Sequence, residues 1–266
     1  MLDARVARHC AELNRCNQRG GRMLSIFDLL EAGTLDLDLA AYLMARITEG
    51  ASFMVGARPG GAGKTTVMCA LLNLIPPDCE IVAATAAAVR DGSRTERRNG
   101  RPRLDGAVAR RCCYVCHEIG SGPYFAYLWN SDLRAYCALS TKGHILATNL
   151  HADDLDEARE QVCQENRVPM SEFNAFHLAL FVRMEGRFSG SRRWVEKVYA
   201  SNGASAHTLL FDTKSKATHF REASEEISTR FKRCRVFLEK GLQGGVRSIE
   251  DTRTKLIEFL SGLRTD

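Results

Sequence analysis

The sequence predicts an α/β fold: a mostly parallel sheet covered by helices, with a small antiparallel addition and a helical C-terminal tail. Three observations predict it. Short apolar runs at 52–55, 81–84, 112–116 and 145–150 alternate with helix-like segments, the pattern of parallel strands buried on both faces. Past Phe181 the pattern changes to short runs at 181–184, 193–199 and 207–212 separated by Gly and Ser, which read as antiparallel strands. From 222 to 263 the spacing of Ile227, Phe231, Cys234, Phe237 and Leu238 is helical, and Gly244-Gly245 divides the stretch into two helices.

Residues 1–22 read as a helix and then a loop, punctuated by Arg19-Gly20-Gly21. Thr34 or Asp36 caps the next helix, in which Leu37, Ala40, Ala41, Met44 and Ile47 form one face and after which Gly50 closes it. The apolar run 52–55 leads into a glycine-rich turn. A helix over 67–75 follows and stops at Pro76-Pro77. Ser248 with Asp251 makes a capping-box start for the last helix. The organisation is a short helical lead at 1–50 (a reduced N-terminal region), a core at 51–217 ending in the antiparallel strands, and a C-terminal helical region at 218–266. The aromatic stretch Pro123-Tyr124-Phe125-Ala126-Tyr127-Leu128-Trp129 reads either as core packing or as a partner surface.

Composition narrows the class. With 45% hydrophobic and 26% charged residues, the chain should bury a packed core rather than stay disordered. Its apolar runs fall short of the roughly 18 residues that span a bilayer, and the opening MLDARVARHC has no apolar signal-like segment, so the expectation is a soluble intracellular protein. Ten irregularly placed cysteines then read as reduced thiols. Cys113-Tyr114-Val115-Cys116-His117 matches C-x-x-C-H literally, but covalent haem attachment needs export, and zinc would need a second Cys/His pair. A buried strand is the expected reading. The net charge of +5 is mild. Arginines cluster at 90, 94, 97, 98, 101, 103, 110 and 111, as a solvated loop or as cations for phosphate or a neighbouring subunit. Nucleic-acid binding is disfavoured, because no interleaved aromatics accompany them.

Pro59-Gly60-Gly61-Ala62-Gly63-Lys64-Thr65-Thr66 lies between a strand and a helix, the context of a P-loop. Glycines let the backbone turn its N–H groups toward phosphate oxygens, and the helix start adds its dipole. Lys64 would reach the terminal phosphates of ATP and Thr65 would hold Mg²⁺. The pattern G-x-x-x-x-G-K-[ST] is broken at its first position, where Arg58 stands. The strand 112–116 ends at His117-Glu118, so Glu118 is the candidate to position or deprotonate the attacking water.

Together these segments resemble the secretion traffic ATPases, the family that powers type II and type IV secretion and the assembly of type IV pili and archaeal filaments. The stretch from Leu24-Ser25-Ile26-Phe27 to Thr34 is similar to that family's lead into the P-loop. Leu71-Leu72-Asn73-Leu74-Ile75-Pro76-Pro77 is similar to the turn after it. Gly143-His144-Ile145-Leu146-Ala147-Thr148-Asn149-Leu150-His151-Ala152 resembles its histidine box. The resemblance implies a RecA-like P-loop NTPase core, ATP and Mg²⁺ as cofactors, and a cytoplasmic hexameric ring. It also implies docking on an integral-membrane platform protein, peripherally at the inner membrane face. Glu118 becomes the catalytic carboxylate, with His144 and His151 sensing the γ-phosphate. The sequence departs from the family where Thr85 and Ala86 stand in place of acidic residues after the second strand, and where Gly120 replaces an arginine. It departs again where the family's separate N-terminal domain is reduced to a short lead. The missing acidic residues and Arg58 keep open a catalytically weak nucleotide-binding scaffold, and the basic stretch at 90–111 keeps open a nucleic-acid-dependent P-loop ATPase.

Overall fold

The computed structural model describes residues 3–17, 20–94, 111–186, 190–215, 217–218 and 225–263. Of the basic stretch, Arg97, Arg98, Arg101, Arg103 and Arg110 lie outside the described residues. The strands are β1 (Phe53–Gly56), β2 (Glu80–Ala83), β3 (Cys112–Ile119), β4 (Tyr127–Leu128), β5 (Ile145–Leu150), β6 (Leu178–Glu185), β7 (Arg192–Ala200), β8 (Thr208–Asp212) and β9 (Ala217–Thr218). They form one sheet in the order β2-β3-β5-β1-β6-β7-β8-β9, with β4 beside the end of β3. β2, β3, β5, β1 and β6 pair in parallel, and β7 to β9 add on antiparallel. The sequence expectation of a parallel sheet with an antiparallel addition therefore holds. One detail differs: the run at 181–184 belongs to β6, which starts at Leu178 and pairs in parallel with β1 on its other side. Its residues 178–182 are buried, which is why they read as a continuous apolar run rather than an alternation.

Helices α1 (Ala4–Arg15), α2 (Ile26–Glu31), α3 (Leu37–Thr48), α4 (Lys64–Leu72), α9 (Glu225–Gln243) and α10 (Ile249–Leu263) cover one face of the sheet, and share a core with Phe53, Val55, Cys113 and Val115. On the other face α5 (Ala86–Arg94), α6 (Asn130–Cys137), α7 (Leu155–Arg159) and α8 (Met170–Asn174) enclose Met54, Tyr114, Cys116 and Leu146. The side-chain period of two along a strand makes this division. It also disposes of the C-x-x-C-H pattern: Cys113 and Cys116, three residues apart on β3, lie on opposite faces. Among the described residues no group of three or more His, Cys, Asp or Glu could hold a metal ion.

The lead and the tail are fastened to the P-loop side of the molecule. Ser25 and Asp28 form a capping box at α2, and Arg22 pairs with Asp28. Asp36 rather than Thr34 caps α3. Arg253 of α10 is buried and donates to the carbonyls of Asn73, Ile75 and Pro76, satisfying groups left open where α4 ends. Ser248 accepts from Asp251 N at the start of α10, as the sequence predicts. The aromatic stretch divides its roles: Leu128 is buried, whereas Tyr124 and Phe125 are 66% and 60% exposed. None of the ten cysteines is disulfide-bonded, and all but Cys112 and Cys163 are buried. No helix among the described residues is long and apolar enough to cross a membrane.

Candidate functional site

β1 delivers the chain to its loop at Gly56, where only glycine fits. A Cβ there would lie 2.6 Å from the Ala152 carbonyl oxygen and 2.8 Å from the Phe181 ring. In the loop that follows, Gly61 (φ 85°) and Gly63 (φ 99°) take left-handed conformations open to glycine at little cost. Arg58, by contrast, is not among the residues with positive φ, so the position has no steric need for glycine. Its N–H donates to Asp153 Oδ1 at 2.9 Å, and its guanidinium grips the Glu157 carboxylate at 2.7 and 2.9 Å. The arginine thus ties the loop to the turn after β5.

Lys64, the first residue of α4, is buried. Its Nζ donates to the Ala57 carbonyl at 2.9 Å and lies 3.6 Å from Glu118 Oε1 and 3.4 Å from His151 Nδ1. His151 Nε2 is 3.8 Å from the same Glu118 oxygen. Glu118 is aimed here by an irregularity: the β3–β5 register shifts between Cys116 and Ile119, which re-aims the end of a strand. Its Oε1 is buried and makes no hydrogen bond, and burial pushes the carboxyl above the usual carboxylate range against the pull of Lys64 and His151. Asn149 of β5 bridges the group, its amide donating to the His117 carbonyl at 2.9 Å and lying 3.4 Å from Thr65 Oγ1.

These groups open on a cavity of about 610 Å³. One wall is residues 59–67 with Glu118, Tyr127 and His151. The lining also takes Arg22, Met23, Leu24, Leu29 and Thr34 from the lead and Arg192 and Arg193 from β7. Glu118 is the only carboxylate among the described lining residues. Every loop residue singled out from the sequence, Pro59, Gly60, Gly61, Ala62, Gly63, Lys64, Thr65 and Thr66, lines this cavity, as do Glu118 and His151.

His144 is not brought to it. His144 precedes β5 and His151 follows it, so the strand holds them about 23 Å apart at 3.3 Å per residue. His144 Nδ1 instead accepts from Cys112 N at 3.2 Å, and its ring stands edge-on to Tyr114. Thr85 and Ala86 follow β2 as expected and supply no carboxylate. Asn149 carries no local signal beyond its place in the histidine box, and Arg193 none at all, because its approach to the loop spans 132 residues.

A parallel sheet whose central strand runs through a glycine-rich loop into a helix, with a lysine, a carboxylate and a histidine meeting at the carboxyl ends of β1, β3 and β5, defines a P-loop NTPase fold. No family model and no curated protein matches the chain. Among solved structures it is similar to the VirB11 ATPase from the Brucella suis type IV secretion system in complex with sulphate, with TM-score 0.43 and 18% identity over 66% of this chain and 54% of that one. It is also similar to the Legionella pneumophila ATPase DotB, with TM-score 0.42 and 12% identity over 81% of this chain and 59% of that one. The chain thus spans less than two thirds of the length of either structure.

Proposed function

We propose that the chain binds and hydrolyses ATP as the motor subunit of a secretion or filament-assembly machine, working as a hexameric ring against an integral-membrane platform protein. The observation that supports the ATPase part is the meeting of Lys64, Glu118 and His151 beside the loop of residues 59–66. The machine and the ring are supported by the sequence resemblance at that loop and at 143–152.

The loop N–H groups and the α4 terminus take the phosphate chain. The apolar lining residues Met23, Leu24 and Leu29 take the base. Lys64, drawn off Ala57 and Glu118 by phosphate, neutralises charge on the terminal groups. Glu118 then positions the attacking water, and its raised proton affinity suits it to accept a proton. His151 reports the γ-phosphate from the edge of the cavity. Hard oxygen donors suit Mg²⁺, and the site offers the Thr65 hydroxyl beside Asn149. With no cluster among the described residues able to hold a metal alone, Thr65 would bind Mg²⁺ together with the nucleotide, and the ion would neutralise phosphate charge.

A second reading, a weakly catalytic scaffold, is favoured by Thr85 and Ala86 after β2 and by Glu118 being the one carboxylate among the described residues of the cavity wall. Steady-state ATPase activity measured against protein concentration separates the two, with Lys64→Ala and Glu118→Gln alongside. A motor completed by assembly gives specific activity that rises with concentration and disappears in both variants. ATP binding without turnover at any concentration selects the scaffold, and no binding of ATP refutes both.

A further inference from the structure

Arg193 stands where a second cation for the phosphate chain would be needed. It is the second residue of β7, in register with Met184 of β6, so it projects from a paired strand rather than a free loop. Its Nε donates to the Gly61 carbonyl at 3.1 Å. Its stem passes so close to the loop that a Cβ on Gly63 would come within 3.3 Å of Arg193 Cδ. The guanidinium is therefore held at the loop by its inner nitrogen on a residue that lines the cavity, and among the described residues its two terminal nitrogens make no hydrogen bond. Among the described residues no carboxylate pairs with it.

The other lining arginines are engaged elsewhere. Arg22 pairs with Asp28 and donates to the Arg247 carbonyl. Arg192 lies over the Trp194 ring. An arginine held by one nitrogen with a forked pair free is the arrangement that recognises phosphate in two-point fashion.

We propose that Arg193 is a phosphate-contacting residue, supplied within the same chain, that makes the site select nucleoside di- and triphosphates over monophosphates. This rests on the nucleotide-binding reading of the cavity. The test is titration of the full chain with ATP, ADP and AMP by calorimetry, for the wild type, Lys64→Ala, Arg193→Ala, Arg193→Gln and Arg193→Lys, at two salt concentrations. Arg193→Ala should weaken ATP and ADP by about 10- to 100-fold and AMP by much less. Arg193→Lys should recover part of the loss, and the salt dependence of ATP binding should fall in Arg193→Ala and Arg193→Gln but not in Arg193→Lys. Glutamine can still donate to Gly61 without carrying charge, so wild-type affinity in Arg193→Gln would overturn the proposal in favour of a loop anchor. An equal loss for all three nucleotides would overturn it too. Wild-type binding abolished by Lys64→Ala but untouched by Arg193→Ala overturns this inference alone, whereas a wild type that binds no nucleotide overturns it and the site reading together.

Discussion

Removing the Lys64 ammonium from the nucleotide-free protein isolates the electrostatics of the site. Glu118 Oε1 is 3.6 Å from Lys64 Nζ, and both side chains are more than nine-tenths buried. At an effective dielectric near 20 an attraction over that distance is on the order of 4–5 kcal/mol. Lys64→Ala also frees the Ala57 carbonyl, worth about 1 kcal/mol. Glu118 can escape part of this by taking a proton, at about 1.4 kcal/mol for each unit by which the pH exceeds its pKa, and burial has already raised that pKa. The expected net loss is about 2–4 kcal/mol, or roughly 5–15 °C in Tm for a chain of this size. Adding Glu118→Gln should return most of it, because the charge left stranded is gone. Urea unfolding of the wild type, both single variants and the double variant measures the coupling, expected near 2 kcal/mol. The pH dependence has a definite sign. A carboxyl held above its unfolded value contributes stability that is complete below about pH 4.5 and is lost as pH rises through the folded value. Lys64→Ala should therefore be less damaging at pH 5.5 than at pH 8. Losses that add within about 0.5 kcal/mol, with no pH effect, would refute the pairing.

Two other outcomes follow from the same structure. Burial, with Arg253 nearby, lowers His9 to about 3, and burial, with Arg46, Arg111 and His207, lowers His177 to about 4 while its Nδ1 accepts from Ser52 N. Both contribute stability present above about pH 6.5 and lost as pH falls toward those values, so unfolding free energy should drop by up to about 2.5 kcal/mol per pH unit near pH 5, with His177→Gln halving the slope in urea melts. Gly56→Ala sets a methyl against the Ala152 carbonyl and the Phe181 ring, so it should cost about 1–3 kcal/mol and weaken ATP at least tenfold by calorimetry; unchanged affinity would mean that β1 can yield there.

Much of this was legible in the sequence because it is written locally. The glycine-rich turn, the apolar strands and the break at Gly244-Gly245 each depend on neighbours within a few residues, and each stands within about three residues of its expected place, with α4 at Lys64–Leu72 rather than 67–75. The parts that were not legible depend on pairing between distant segments. Helices α7 and α8 are five residues each and carry too short a period to register. β6 looked like the start of an antiparallel unit because its partner β1 lies more than a hundred residues earlier. Arg193 reaches Gly61 only once β7 has folded back along β6. His144 is the instructive case: two histidines flanking a strand invite a shared role, yet a strand of six residues places them at its opposite ends.

The buried cysteines give the folded chain a set of internal chemical clocks. Burial pushes the thiols of Cys10, Cys79, Cys116 and Cys234 up to about 12, so at neutral pH they are both shielded and protonated. An alkylating reagent can reach them only when the surrounding layer opens. Cys10 sits on α1, Cys116 in the centre of β3 and Cys234 on α9, so the order in which they are modified would record which layer of the molecule loosens first.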